Sequence, residues 1–555
     1  MRWLAGALLA ALLVAAFVIV QRSGTARPSV VIVTFDTLRA DAIARMPEVK
    51  RLLADATQFA AARTVAPITL PAHASLMTGL HPNAHGLRDN ITPPLPPDRG
   101  FPLLAEEFAA AGYATAGFVA SDVLSAATGI AAGFQQYECP KREVTAEERL
   151  PAVLAWLGAR DRERPFFLWV HFYDCHAPYV ESEGATTTRE LYAGEVRRVD
   201  AAFARVVAAI PPEAVLVVAS DHGEGLGDHG EATHGPLCFG SVIDALLAVR
   251  APGMGRGVVD WAPRSLVDVA PTLRRWCGLP ARPSDGLPLD LAPAPGAIVM
   301  TESLYAWRMH GWGQCLAATD GRFTLVESGA AQELYDRATD PGEERALDPL
   351  DHEAAERLDR ALTAYRARPS AALDSAPTAG DGDVSSPYGI ARRPLSGCLS
   401  RRENAQLVDP RVRFPFWDLL TSTSQVLTLA GENRDKILLS RALGMLEGLI
   451  EEDPLTPAPY AYLAQAQKLM GELAGARIWY RRAAASTRAA IERGYATAQM
   501  IRYAIELSVM GQDAAEMEAV RSLARSGLLA LDDACSQALH SLDAELARRS
   551  GTPGD

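Results

Sequence analysis

Histidine is scarce in this chain of 555 residues, with 11 in all, yet His171, His176, His222, His229 and His234 fall within 64 residues of one another. Carboxylates accompany them. Val30-Val31-Ile32-Val33-Thr34-Phe35 is apolar and stops at Asp36, and Val215-Leu216-Val217-Val218-Ala219 stops at Ser220-Asp221-His222. A third apolar run, 165–170, leads into His171, Asp174 and His176. One aspartate after an apolar run is as readily a helix cap as a ligand. An Asp-His-Gly turn says more, because a carboxylate and an imidazole share it. Imidazoles and carboxylates gathered in one stretch supply proton transfer or metal ligation, and mark a site.

The surrounding pattern dictates where these residues must lie. Short β-branched runs alternate with amphipathic segments such as 47–61 and 101–111, which predicts an α/β domain with a mostly parallel sheet covered by helices on both faces. In such folds the ligand sits beyond the carboxyl ends of the strands. Asp36, the residues from His171 to His176, and Ser220-Asp221-His222 therefore belong to one edge.

Bulk properties limit the alternatives. The length implies two or three domains. At 48% hydrophobic and 22% charged the composition is that of a globular protein. A net charge of −13 argues against a nucleic-acid-binding surface, so no nucleic-acid partner is expected. Seven cysteines without a C-x-x-C pair exclude a zinc ribbon or dense disulfide scaffold, and the odd number leaves at least one free thiol. Lysine occurs only at positions 50, 141, 436 and 468.

Residues 3–20 are uncharged and almost wholly apolar, and at about 1.5 Å per residue they just span a bilayer. They are expected to be an uncleaved single-pass anchor within an N-terminal segment 1–27, in a bacterial cell membrane. A signal cleaved after Gly24-Thr25-Ala26 is the alternative, and either places the rest of the chain in the periplasm or outside the cell. Around 367–410 the composition turns to Ala, Ser, Pro, Gly and Asp, that of a linker. The chain beyond reads as helical. Ala442 and Ala476 are 34 residues apart, and Ala464 is followed at 12, 16 and 19 residues by Ala476, Tyr480 and Ala483. A period of about 34 with that small/aromatic spacing is the tetratricopeptide signature. Residues 411–555 are thus expected to form an all-α hairpin array with a groove for a protein partner. No residue assigned to chemistry lies there, so its removal is expected to leave turnover of a small ester unchanged.

One further stretch, "TVAPITLPAHASLMTGLHPNAHG" at 64–86, ties these pieces together. Its second half, with the Asp36–Asp41 segment, Ala111-Gly112-Tyr113-Ala114-Thr115, Asp174–Tyr179, Asp221-His222-Gly223-Glu224, Asp285-Gly286-Leu287 and Glu333–Asp336, resembles the sulfatase branch of the alkaline phosphatase superfamily. The resemblance implies a catalytic domain over 28–366 with an alkaline-phosphatase-like fold and activity on ester bonds. Carried over position by position, it implies that Asp36, Asp221 and His222 hold a divalent metal, with Thr69 completing the shell. It also implies that His176 lies near the leaving group and that His234 stands where sulfatases place a lysine. Oxygen ligands with one imidazole suit Ca, Mg, Mn or Zn.

The departures from that pattern carry the chemistry. Thr69 occupies the place of the residue that sulfatases convert to formylglycine, and His73 that of their arginine. Thr37 replaces a second aspartate, and Ala120 and Asp122 replace a Lys-x-His pair. With so few lysines, no lysine fills either family position. One metal is favoured. A second, held by Asp174, His176 and His234, is the alternative source of the missing positive charge. A formylglycine hydrate expels sulfate by collapsing to the aldehyde; a threonine ester has no such route and must be opened by water attacking the central atom. Threonine therefore favours phosphorus over sulfur.

The reading is a metal-dependent hydrolase or transferase cleaving small or polymeric phosphate esters, mono- or diester, through Thr69. His176 serves as acid, and His73 and His234 as ligands for non-bridging oxygens. A sulfatase working without formylglycine is one alternative, and a weakly catalytic scaffold with a partner-binding tail is another.

Overall fold

The computed structural model describes residues 27–90, 94–179, 184–310, 312–349, 352–370, 398–416, 419, 423, 427, 435–452, 457–492, 498–525 and 533–550. The expected membrane segment lies outside these residues. No described helix is long and apolar enough to cross a membrane.

Eight strands form the central sheet: β1 (Val30–Phe35), β2 (Thr57–Phe59), β3 (Ala114–Phe118), β4 (Gln136–Glu138), β5 (Phe166–Phe172), β6 (Val215–Ser220), β7 (Leu247–Arg250) and β8 (Val258–Asp260). Their order is β4-β3-β5-β1-β6-β7-β2-β8. Pairing is parallel except along β7, which runs antiparallel to both β6 and β2. All six residues of β1 are buried, as a continuous apolar run requires when both faces are covered. Val30 and Ile32 face one core with Phe167 and Trp169, while Val31, Val33 and Phe35 face the other with Phe166, Leu168 and Val170.

The amphipathic segment 47–61 divides. Only Pro47–Leu53 is helical (α1), and Thr57-Gln58-Phe59 becomes β2, since its β-branched and aromatic residues pair with β7 and β8. On one face of the sheet lie α2 (Thr69–Thr78), α3 (Leu104–Ala110) and α6 (Val269–Trp276). On the other, α1 is joined by α4 (Ala146–Ala159) and α5 (Thr188–Ala209). Both α4 and α5 start at capping boxes, Thr145 with Glu148 and Thr187 with Glu190.

An antiparallel sheet follows, β9 (Val299–Ser303), β10 (Cys315–Thr319), β11 (Phe323–Ser328) and β12 (Ala331–Asp336), preceding helix α8 (Glu353–Arg366), which packs across it through Leu358 and Leu362. Helix α7 (Tyr305–His310) links β9 to β10. Residues 371–397 of the compositional linker lie outside the described residues. Residues 398–410 are not a free connector: the Asn404 side chain donates to the Gln314 and Gly329 carbonyls, and Ser328 donates to Asp409. Composition missed this because the anchoring groups are scattered single polar residues.

The tail is helical, with α9 (Lys436–Glu452), α10 (Pro457–Met470), α11 (Leu473–Glu492), α12 (Ala498–Gly511), α13 (Ala514–Arg525) and α14 (Asp533–Ser550). Ala464, Ala476, Tyr480 and Ala483 share one buried cluster.

Candidate metal centre

The parallel pairing of three central strands assembles the site. Phe35 is in register with Ser220 of β6 and with Phe172 of β5, so Asp36 and Asp221 emerge side by side and His171 lies opposite Thr34. Asp36, Asp221, His222 and His171 are all fully buried. Thr37, where many sulfatases have an aspartate, takes a left-handed φ of 52°. Its N–H donates to Asp221 Oδ1 at 3.1 Å and its hydroxyl to the Asp36 carbonyl at 2.8 Å. It thus orients a neighbouring carboxylate and adds no ligand of its own.

The ligand atoms of Asp36, Asp221 and His222 lie within 4.8 Å of one another. The arrangement fits a cation. Asp36 Oδ1 and Asp221 Oδ2 are buried and have no hydrogen-bond partner, a costly state for two carboxylates unless a positive charge joins them. The His222 Nδ1–H donates to the Gly223 carbonyl at 2.9 Å, which turns the Nε2 lone pair toward Asp221 Oδ2 at 3.4 Å and Asp36 Oδ1 at 3.9 Å. Thr69 Oγ1 stands 3.4 Å from Asp36 Oδ2 and 3.5 Å from His222 Nε2. Burial, and then the Asp36 charge, push the Asp221 carboxyl well above the usual range. Burial acts on Asp36 too, but the His171 hydrogen bond and the nearby imidazoles outweigh it and hold Asp36 below that range.

Thr69 is the first residue of α2, and that N-terminus directs its partial positive charge at the site. Asn90 fixes the entry by accepting the Leu70 N–H at 3.0 Å. His73 corrects an expectation. Its Nδ1–H donates to the Thr69 carbonyl at 2.8 Å, while Nε2 faces the Thr34 hydroxyl at 3.0 Å, and Thr34 in turn accepts from Trp169 Nε1 at 3.0 Å. Both nitrogens are engaged within the protein, and burial lowers the pKa of His73 to about 3. It is a neutral brace for α2 and has no free nitrogen for a substrate oxygen.

His171, Asp221 and His73 form the second close grouping among the described residues. His171 Nδ1 accepts the Ala120 N–H at 3.2 Å, so its Nε2 carries the proton, donated to Asp36 Oδ2 at 3.2 Å. With no lone pair open on either imidazole, this grouping holds Asp36 and ligates nothing.

The proposed second set is also corrected. Asp174, His176 and His234 do not form a close grouping among the described residues. Asp174 Oδ2 accepts the Ala146 N–H at 2.8 Å, which turns the carboxylate to the start of α4. Its neighbour Cys175 is a buried free thiol.

His176 and His234 do meet: their ring centroids are 5.1 Å apart, and His234 lies 4.5 Å from His222. Tyr173 stacks on His176 at 4.4 Å, and the His176 Nδ1–H is shared by the Ala177 carbonyl (2.5 Å) and the Tyr173 hydroxyl oxygen (2.7 Å). The His234 Nδ1–H donates to Glu224 Oε1 at 3.1 Å, and Tyr179 donates to Glu224 Oε2 at 3.2 Å. Burial opposes a charge on His234, but the fully buried Glu224 outweighs it and raises the His234 pKa. Arg39 braces this loop through Asp228 and the carbonyls of Glu224 and Gly225. The sequence alone gives Glu224, Tyr173 and Tyr179 no individual role, and marks His171 only as one of the clustered imidazoles at the strand ends. Glu224 was within reach of it, being the acidic residue two positions after His222.

A family model described as Sulfatase matches residues 28–279. These residues form a sulfatase-family domain. Proteins of this family are metal-dependent hydrolases acting on ester bonds, in keeping with the cluster at Asp36, Asp221 and His222. No curated protein matches the chain. Among solved structures the sulfatase-like chain is similar to phosphonate monoester hydrolase SpPMH from Silicibacter pomeroyi, at 21% identity and a TM-score of 0.50 over 62% of this chain and 96% of that one. It is likewise similar to the phosphonate monoester hydrolase of Agrobacterium radiobacter, at 21% identity and a TM-score of 0.51 over 60% and 94%. A 2-O GAG sulfatase matches at 17% identity and a TM-score of 0.51 over 61% and 92%. At such identities the shared property is the fold.

Proposed function

We propose that this sulfatase-family hydrolase cleaves phosphate mono- or diesters with Thr69 as nucleophile. The observation that carries the reading is an unmodified hydroxyl, Thr69 Oγ1, placed at the N-terminus of α2 between Asp36 and His222. A divalent ion (Ca, Mg, Mn or Zn) held by Asp36, Asp221 and His222 would lower the pKa of that hydroxyl and screen charge on the ester. Thr69 Oγ1 then bonds to phosphorus as its proton leaves toward Asp36 Oδ2. The phosphorus–oxygen bond to the alcohol breaks, and the alcohol takes a proton from the His176–His234 pair. His234 carries the charge in that pair because Glu224 holds its Nδ1–H. Water next attacks phosphorus as its proton passes to the now neutral His176–His234 pair; the phosphorus–Thr69 Oγ1 bond breaks, and Oγ1 regains its proton from Asp36.

Thr69 carries a plain hydroxyl, whose ester has no aldehyde route for expelling sulfate and must be opened by water at the central atom, and this supports phosphorus over sulfur. An apolar anchor at 3–20, export of the catalytic domain, and a protein partner on the helical repeats belong to the same proposal. The test is a panel of aryl phosphate mono- and diesters, phosphonates and sulfates, each assayed with Ca, Mg, Mn and Zn after chelation. Phosphate esters should be turned over fastest; faster sulfate turnover would overturn the reading.

A further inference from the structure

His234 sits in an irregular segment, 225–239, whose internal backbone bonds, from the N–H groups of Gly225, Gly227, Asp228, Gly230 and Glu231 to the carbonyls of Thr233, Glu231, Gly225, Gly227 and Asp228, all lie within 225–233. The part from His234 to Phe239 has no such internal bond, so its backbone keeps its place through what packs on it. Two supports do so. Phe414 lies 3.3 Å from where a Cβ on Gly230 would stand, and shares a buried cluster with Leu237, Cys238 and Phe239. The Arg411 guanidinium covers the Phe239 ring at 5.8 Å and is held by Glu333 at 2.6 Å. On the other flank, the Tyr305 ring stands 3.5 Å from where a Cβ on Gly235 would stand, and Ser303 Oγ donates to the Gly235 carbonyl.

Both supports continue into the tail. Phe416, two residues after Phe414, is 1% exposed and packs with Leu439, Ala442 and Leu446 of α9 and Leu463 of α10. Ala306, next to Tyr305 in α7, lies in the same cluster with Trp312. Pro415, whose ring fixes φ, separates the two phenylalanines. One ring enters the cluster of the His234 loop and the other the core of the tail.

We infer that the helical tail is a positioning element for His234, acting through the strap 411–416 and through α7. This rests on the role given to His234 above, and it replaces the expectation that removing 411–555 leaves small-ester turnover unchanged. Phe414 and Phe416 touch no reacting atom; they act by fixing the loop.

The test uses the full chain with Phe414→Ala, Phe416→Ala and the milder Phe416→Leu, which retains a folded protein should the alanine variant fail to fold. Hydrogen exchange is followed in peptides covering 225–239 and, as a control, 69–78. Loss of either ring should raise exchange in 225–239 at least tenfold and leave 69–78 unchanged, with Phe416→Leu intermediate. Turnover of an aryl phosphate ester should fall at least tenfold, mostly in kcat, while metal content stays full. In a His234→Ala background Phe416→Ala should cost less than a further twofold. Unchanged exchange in 225–239, or an equal loss of turnover with and without His234, would overturn the inference. Exchange requires no substrate, so failure of the proposed function, seen as no turnover by the unaltered protein, is distinguished from failure of the coupling.

Discussion

Replacing Asp221 by asparagine should stabilise the metal-free protein and destabilise the metal-bound one. Asp36 Oδ1 and Asp221 Oδ2 are buried, unpartnered, and belong to a grouping whose ligand atoms lie within 4.8 Å. At an effective dielectric of roughly 20, two charges no farther apart than 4.8 Å repel by about 3.5 kcal/mol or more. Burial and the Asp36 charge both raise the Asp221 pKa and so favour a proton there in the chelated protein. The sign follows from the protons bound: between about pH 4 and the raised folded value the native state holds one more proton than the unfolded state, so stability falls as pH rises. An asparagine amide takes no proton, keeps an acceptor for the Thr37 and His222 N–H groups, and can offer an N–H to the orphaned Asp36 oxygen. At about 2 °C per kcal/mol for a domain of this size, relief of that repulsion should raise the melting temperature in chelator by roughly 7 °C, and the pH slope should flatten. Saturating divalent ion should reverse the ranking, because only the unaltered site gains the full binding energy. A variant that melts lower than the parent in chelator, or an equal gain from metal in both proteins, would refute the reasoning.

Other outcomes follow from the same geometry. Glu224→Ala should lower turnover on the order of 10–100-fold, the loss typical when a histidine's orienting partner is removed, with metal content unchanged on elemental analysis. Asp174→Asn should keep full metal content. Burial pushes Asp174 up to about 6, so its stabilising protonation is complete below about pH 4 and is lost as pH rises through 6; the variant should therefore melt higher than the parent above pH 6. Thr34→Val removes the partner of both His73 Nε2 and Trp169 Nε1, and should cost about 1–3 kcal/mol in a denaturant titration for each buried group left unpaired.

The chemistry at the strand ends was legible because a parallel sheet places successive carboxyl ends together, and because Asp36, Asp221 and His222 each follow an apolar run directly. Residue type alone misled at His73 and Asp174. An imidazole or carboxylate near a site reads as functional in sequence, yet its role is set by which partners already hold it, here the Thr69 carbonyl and Thr34 in one case and the Ala146 N–H in the other. Glu224 and Tyr173 went unassigned for the converse reason, since their contacts join segments far apart or orient a neighbour. The strap could not be read at all. Phe414 and Phe416 are two apolar residues beyond a low-complexity stretch, and nothing local tells which cluster each ring enters.

Attack of the Thr69 hydroxyl on phosphorus leaves a phosphothreonine on the enzyme before water releases it. Acid quench of the enzyme turning over a labelled aryl phosphate, followed by mass spectrometry of the peptide spanning 64–86, tests it most directly. Phosphate should be found on Thr69; Thr69→Ala should show no label and lose several orders of magnitude in turnover, and Thr69→Ser should keep substantial activity. An unlabelled peptide under rapid turnover, with Thr69→Ala still active, would contradict it and assign the attack to water.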